Sequence, residues 1–165
     1  PVYAGFGSIP IRDQIRNVSV IVDAVRLSAQ RAVIGRLWDE PSEFSNSDDI
    51  FFIKKYPHLQ LFPKMAAVIH HGGAGTTASS AISGVPQIIV PHNLDQYYWG
   101  NQVYKSGLGP KPIWRTGLTS KKLAASIREC LFDQRIRNRA KEASEAIGQR
   151  DGLEITVREI LGSIS

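Results

Sequence analysis

A single cysteine, Cys130, excludes an internal disulfide framework and any multi-cysteine metal site in this chain of 165 residues. Cys130 falls among the apolar positions of a helical stretch, where a buried, inert thiol is expected. Long apolar runs are also missing: segments such as Ile88-Ile89-Val90 fall far short of the roughly 20 residues that cross a bilayer. No basic segment followed by an apolar core opens the sequence. The expectation is a soluble, cytoplasmic protein, with peripheral contact to an anionic membrane surface left open. Aromatic residues make up only 8% of the chain and are not interleaved with its basic stretch, which argues against nucleic acid as a partner. What is present, 42% hydrophobic residues, suffices for one sizeable core, so residues 1–165 read as one domain.

Charge is unevenly spread. Residues 1–104 balance 8 Lys and Arg against 8 Asp and Glu, whereas residues 105–165 hold 12 against 7, which accounts for the whole net charge of +5. Lys121, Lys122, Arg128, Arg135, Arg137, Arg139 and Lys141 alternate with apolar residues at helical spacing, as on a solvated helix face.

Five short apolar runs read as strands: Val2 to Phe6, Ala32 to Ile34, Ile50 to Ile53, Ala66 to Ile69, and Gln87 to Val90. Ile11, Ile15, Val18, Val22 and Val25 recur at helical spacing, a short helical piece lies near Leu59 to Phe62, and Gly84-Val85-Pro86 ends a small-residue helix. Strands apolar throughout, alternating with helices, indicate a parallel sheet covered on both faces. The fold class is α/β, a Rossmann-like parallel sheet of about six strands with a helical C-terminal segment. That segment has apolar faces at Leu123, Ile127 and Leu131, at Ile136, Ala140, Ala143 and Ile147, and at Leu153, Val157, Ile160, Leu161 and Ile164. Thr119 is placed to cap the first of these helices.

The run His70-His71-Gly72-Gly73-Ala74-Gly75-Thr76-Thr77 joins the fourth apolar run to the small-residue helix. Small residues admit a ligand close to the backbone, and unpaired amides at a helix start attract an anion, so the run reads as a phosphate cradle for a nucleotide diphosphate. Two further polar clusters, Gly5 to Ser8 and His92 to Gln96, follow the first and fifth runs and share the same sheet rim, where ligands of open parallel sheets bind. All four histidines, His58, His70, His71 and His92, lie at or beside this rim. His71 supplies a donor toward phosphate; His70, by alternation, faces the other way into packing. Asp95 and Gln96 offer the carboxylate and amide that sugar hydroxyls require, although an Asp opening a helix is ordinarily its N-cap. Tyr97, Tyr98 and Trp99 either line a sugar pocket or pack on the core. Gly73-Ala74-Gly75-Thr76-Thr77-Ala78 also fits the G-x-G-x-x-A dinucleotide fingerprint, with Asp95 22 residues beyond Gly73, so an NAD(P)-dependent oxidoreductase is a rival. A Walker A loop is excluded because no lysine follows the glycines.

His70 to Thr76, Gly84 to Gln87, Pro91 and Asp95-Gln96 resemble the C-terminal donor-binding domain of GT-B glycosyltransferases related to the UDP-glycosyltransferases, and the resemblance spans nearly the whole chain. Gly5 to Ile9, Trp99-Gly100 and Gly107 to Ile113 are most similar to sterol 3-β-glucosyltransferases, with bacterial macrolide and glycopeptide antibiotic glycosyltransferases also similar. The resemblance implies an inverting, metal-independent transfer of a hexose, glucose by preference, from a UDP-sugar to a sterol, lipid or other apolar acceptor. It implies UDP-glucose as donor substrate and no cofactor; the lack of an Asp-x-Asp pair near the cradle agrees with metal independence. His71 would contact the diphosphate and assist its departure, with Gly73, Ala74, Gly75 and Thr76 around it and Ser8 reaching it from the first loop. Tyr56 and His58 would lie at the base, and Asp95 and Gln96 at the sugar. Lys55 stands where plant members have a stacking Trp, and Ser79 where they have a ribose-binding Glu, so those contacts are not carried over. The general base belongs to an N-terminal acceptor domain absent from this chain, to be supplied in cis or as a separate chain. Alone, this chain is expected to bind UDP-sugar and transfer nothing; a non-catalytic nucleotide-binding module is the remaining alternative.

Overall fold

The computed structural model describes residues 1–6, 14–35, 44–54, 56–148 and 161. Its centre is a parallel sheet whose strands are β1 (Val2–Gly5), β2 (Ala32–Gly35), β3 (Ile50–Ile53), β4 (Val68–His70) and β5 (Gln87–Ile89), in the order β3-β2-β1-β4-β5. Helices α1 (Gln14–Leu27), α2 (His58–Leu61), α3 (Ala74–Ile82), α4 (Leu94–Lys105), α5 (Ser120–Phe132) and α6 (Gln134–Gly148) connect and follow them. The α/β class read from the sequence is the one observed.

The sheet has five strands among the described residues, not about six. Beyond α4 the extended run 111–114 comes alongside β5, but Pro110 and Pro112 have no N–H to give, and Ile113 alone donates, to the Ile89 carbonyl at 3.0 Å. The third C-terminal apolar face, Leu153 to Ile164, falls outside the described residues apart from Leu161.

Alternation along the central strands sends side chains to two cores. Val2, Ala4, Ile34, Ile69 and Ile88 meet Val18, Ile21, Val22 and Val25 of α1 and Leu123, Ile127 and Cys130 of α5. Tyr3 and Val68 face the other way, onto Phe62 and Val85. Burial on both faces is why these strands read as continuous apolar runs. Cys130 is buried and its thiol pKa is pushed far up by desolvation, which makes it inert as expected. Thr119 Oγ1 accepts from Lys122 N–H at 3.3 Å and caps α5. No helix among the described residues is long and apolar enough to cross a membrane.

The register fixes the site. Gly5 pairs with His70 and His70 with Ile89, so β1, β4 and β5 end at one level. The chain runs outward from β1 through β2 to β3 and then returns to the far side of β1 as β4. The order therefore reverses between β1 and β4, the place where open parallel sheets open a crevice at their carboxyl ends.

Candidate functional site

At that crevice β4 ends on His70, and the backbone turns through His71, Gly72 and Gly73 into α3. Gly72 takes φ +90°, and a Cβ there would meet Ile89 Cγ2 at 2.9 Å and the Gln96 carbonyl oxygen at 3.0 Å, so only glycine fits. The close approach brings this turn against the start of α4. Gly73 is the N-cap of α3 and no side chain caps the helix; its first backbone bond is Thr77 N–H to the Gly73 carbonyl, 2.9 Å. The amides of Ala74, Gly75 and Thr76 therefore precede the helix's own hydrogen bonding and carry its positive end. Gly75 faces open space, with nothing within 4 Å of a Cβ placed on it.

His71 lies over this helix start: a Cβ on Gly73 would stand 2.6 Å from its Nε2. The residue is only 8% exposed, and its Nδ1 is buried with no hydrogen-bond partner. Burial lowers its pKa, against the opposing pull of the Asp95 carboxylate, so the imidazole is neutral near pH 7. His70 is the contrasting neighbour. It is fully buried, its Nδ1 accepts from Gly72 N–H at 3.1 Å, and the proton is thereby left on Nε2, which donates to Gln87 Oε1 at 3.0 Å. Burial drives its pKa down to about 3. It is the packing histidine that strand alternation predicts, and it holds the turn that aims His71.

Asn93, not Asp95, is the N-cap of α4. The Gln96 amide oxygen accepts from His92 N–H at 2.8 Å and from Asn93 N–H at 3.1 Å, closing the helix start from inside. Asp95 at the second helical position is exposed and free of capping duty, while Gln96, 3% exposed, keeps its amide N–H groups for other acceptors. Thr76 is half-buried beside them, and Ala74 is exposed.

The expected base-binding residues lie at and just before α2, which packs against α3. The His58 ring stacks on Phe62 with centroids 4.5 Å apart and meets Tyr3 edge-on at 6.0 Å; burial lowers its pKa. Tyr56 is exposed. Ser8 and Lys55 lie outside the described residues. The structure thus brings His71, Gly73, Ala74, Gly75, Thr76, Asp95 and Gln96 together around the starts of α3 and α4, with His58 on α2, which packs against α3, and Tyr56 just ahead of it.

Two groups at the rim carried no assigned role in the sequence reading. His92 follows Pro91, its ring edge-on to Phe6 at 5.4 Å and its Nε2 buried without a partner. Arg115 comes from a 3₁₀ turn, 115–117, and its charge bears on His92. The cluster after the fifth strand pointed to His92, whereas nothing local marks Arg115. Of the aromatic run, Tyr97 packs on Trp114 with centroids 5.0 Å apart and both rings partly exposed, and Tyr98 is 58% exposed, so these two are not core residues.

Comparison with known proteins gives the same domain. The family described as "Erythromycin biosynthesis protein CIII-like, C-terminal domain" matches residues 39–159. A sterol 3-beta-glucosyltransferase of Arabidopsis thaliana, UGT80B1, is 36% identical over 159 residues, 95% of this chain and 26% of that protein. A sterol 3-beta-glucosyltransferase of Komagataella phaffii is 33% identical over 95% of this chain and 13% of its own length. The chain thus spans about a quarter of the first of these relatives and about an eighth of the second. Among solved structures, Os79 from O. sativa, in complex with U2F and trichothecene, superposes with TM-score 0.84 at 17% identity, over 99% of this chain and 41% of that one. The glycosyltransferase SnogD from Streptomyces nogalater superposes with TM-score 0.73 at 18% identity, over 99% and 42%. At these identities the superpositions establish a shared fold.

Proposed function

The chain belongs to the family of erythromycin biosynthesis protein CIII-like C-terminal domains, and from that premise we propose that it is the donor-binding part of a UDP-sugar glycosyltransferase acting on a sterol or other apolar acceptor. The observation that carries this reading is the uncapped start of α3 beneath the His71 ring, at the crevice between β1 and β4. Anion affinity is the chemistry of such a helix start, and a nucleotide diphosphate is the anion a sheet crevice of this kind admits.

In this reading the amides of Ala74, Gly75 and Thr76 cradle the diphosphate, with Ser8 approaching from the first loop. His71 donates to a phosphate oxygen. As the sugar leaves, negative charge grows on the bridging oxygen, and donors already aimed there stabilise the transition state more than the ground state. Asp95 accepts from sugar hydroxyls and the Gln96 amide donates to them. Tyr56 and His58 face the base. No general base belongs to this set; it and the acceptor-binding groups are assigned to a further domain, so this chain alone binds donor and transfers nothing. Glucose is the favoured hexose because the relatives named above are glucosyltransferases. Inversion at the sugar carbon follows if one base activates the acceptor for direct displacement.

The dinucleotide-fingerprint reading has less support. Its acidic partner belongs at a strand end, and Asp95 sits six residues past Ile89, inside the first turn of α4. Calorimetric titration with UDP and with NAD separates the two: UDP binds and NAD does not. Binding of NAD alone overturns the proposal.

A further inference from the structure

His92 and His71 each present a buried ring nitrogen, Nε2 and Nδ1 respectively, to which nothing among the described residues hydrogen-bonds. They come from the loops after β5 and β4, two neighbouring strands that end at one level, and a charge on His71 bears on His92. His92 is pinned edge-on by Phe6 and faces Arg115; His71 rests over Gly73 and faces Asp95 and His70. With both rings neutral, the rim offers an anion only hydrogen-bond dipoles. The unpartnered nitrogens, however, leave each ring able to accept a proton without breaking an existing bond.

We propose that His71 and His92 act as a two-imidazole unit that takes up one proton from solvent when a diphosphate occupies the rim and returns it to solvent when the diphosphate leaves. The inference rests on the reading of the rim as a UDP-sugar site. Burial opposes charge on both rings, and Arg115 opposes it further on His92. An arriving diphosphate places negative charge beside them and reverses that balance. One proton enters and not two, because a second imidazolium is repelled by the first and by Arg115. The unit thereby gains its positive charge only when a leaving group is present to use it.

The test uses UDP-glucose, whose phosphates stay fully ionised near neutrality, titrated calorimetrically at about pH 6.5 into the wild-type chain in buffers of different ionisation enthalpy. The expected uptake approaches about one proton per site. His92→Phe keeps a ring against Phe6 but has no nitrogen; it retains binding and loses about half or more of the uptake. Nitrogen-resolved NMR of wild-type His92 supplies an independent measurement, its titration midpoint rising by about one pH unit or more when UDP-glucose binds. UDP-glucose binding with no uptake, with undiminished uptake in His92→Phe, or with an unmoved His92 midpoint overturns the inference and leaves the donor site standing. No binding by the wild type overturns both.

Discussion

The imidazole of His71 occupies the space a side chain at Gly73 would need, with 2.6 Å between Nε2 and a Cβ built on Gly73. Gly73→Ala therefore either displaces the ring or shifts the helix start. UDP affinity is expected to fall about tenfold, equivalent to about 1.4 kcal/mol. Calorimetry on the variant, with circular dichroism to verify the fold, measures it; unchanged affinity would separate His71 from the anion site.

Gly75 offers the complementary case. A methyl there meets nothing among the described residues, and alanine favours the helix, so Gly75→Ala is expected to keep or slightly raise Tm. The same methyl would intrude on a phosphate held by the α3 amides, so UDP affinity drops while stability does not. A variant as stable as the parent and equally avid for UDP would place the phosphate elsewhere.

Asp95 is exposed and is not the helix cap. Asp95→Ala is expected to weaken UDP-glucose binding by about 1.5–3 kcal/mol, the range of a lost hydrogen bond to a charged group, and to leave UDP nearly unaffected. Equal losses for both ligands would remove Asp95 from the sugar.

His70 makes stability depend on pH in a definite direction. Its folded pKa of about 3 lies below the ordinary 6.5, so between these values the unfolded chain binds a proton that the folded chain refuses. Stability is then full above about pH 6.5 and falls as pH drops toward 3, by up to about 1.4 kcal/mol per unit for this one residue. Urea midpoints at successive pH values measure the slope, and a flat profile from pH 7 to 4 would contradict the buried neutral ring.

Much of this was legible in the sequence because it is local. The apolar runs at Ala32, Ile50 and Gln87 became strands with ends moved by a residue at most, and the histidine-glycine run fell between β4 and α3. β4 begins at Val68 and not Ala66, because Ala66 N–H is already turned to the Pro1 carbonyl at 2.8 Å. About six strands were expected and five stand among the described residues, where the run 111–114 gives β5 a single bond, from Ile113. Gln96 shows how a residue singled out for one role can hold an unread duty: its side-chain oxygen secures the α4 start, a pairing that the Asn93-to-Gln96 spacing permits. Arg115 and the unpartnered nitrogens of His71 and His92 depend on chain segments far apart in sequence, and no local periodicity encodes them.

The most direct test of the account is the affinity of UDP for the wild-type chain and for His71→Ala, measured side by side by calorimetry. Wild-type binding with a loss of about 1–3 kcal/mol in the variant is the predicted result. A variant that binds UDP as tightly as the wild type, or a wild type that binds none, would contradict it.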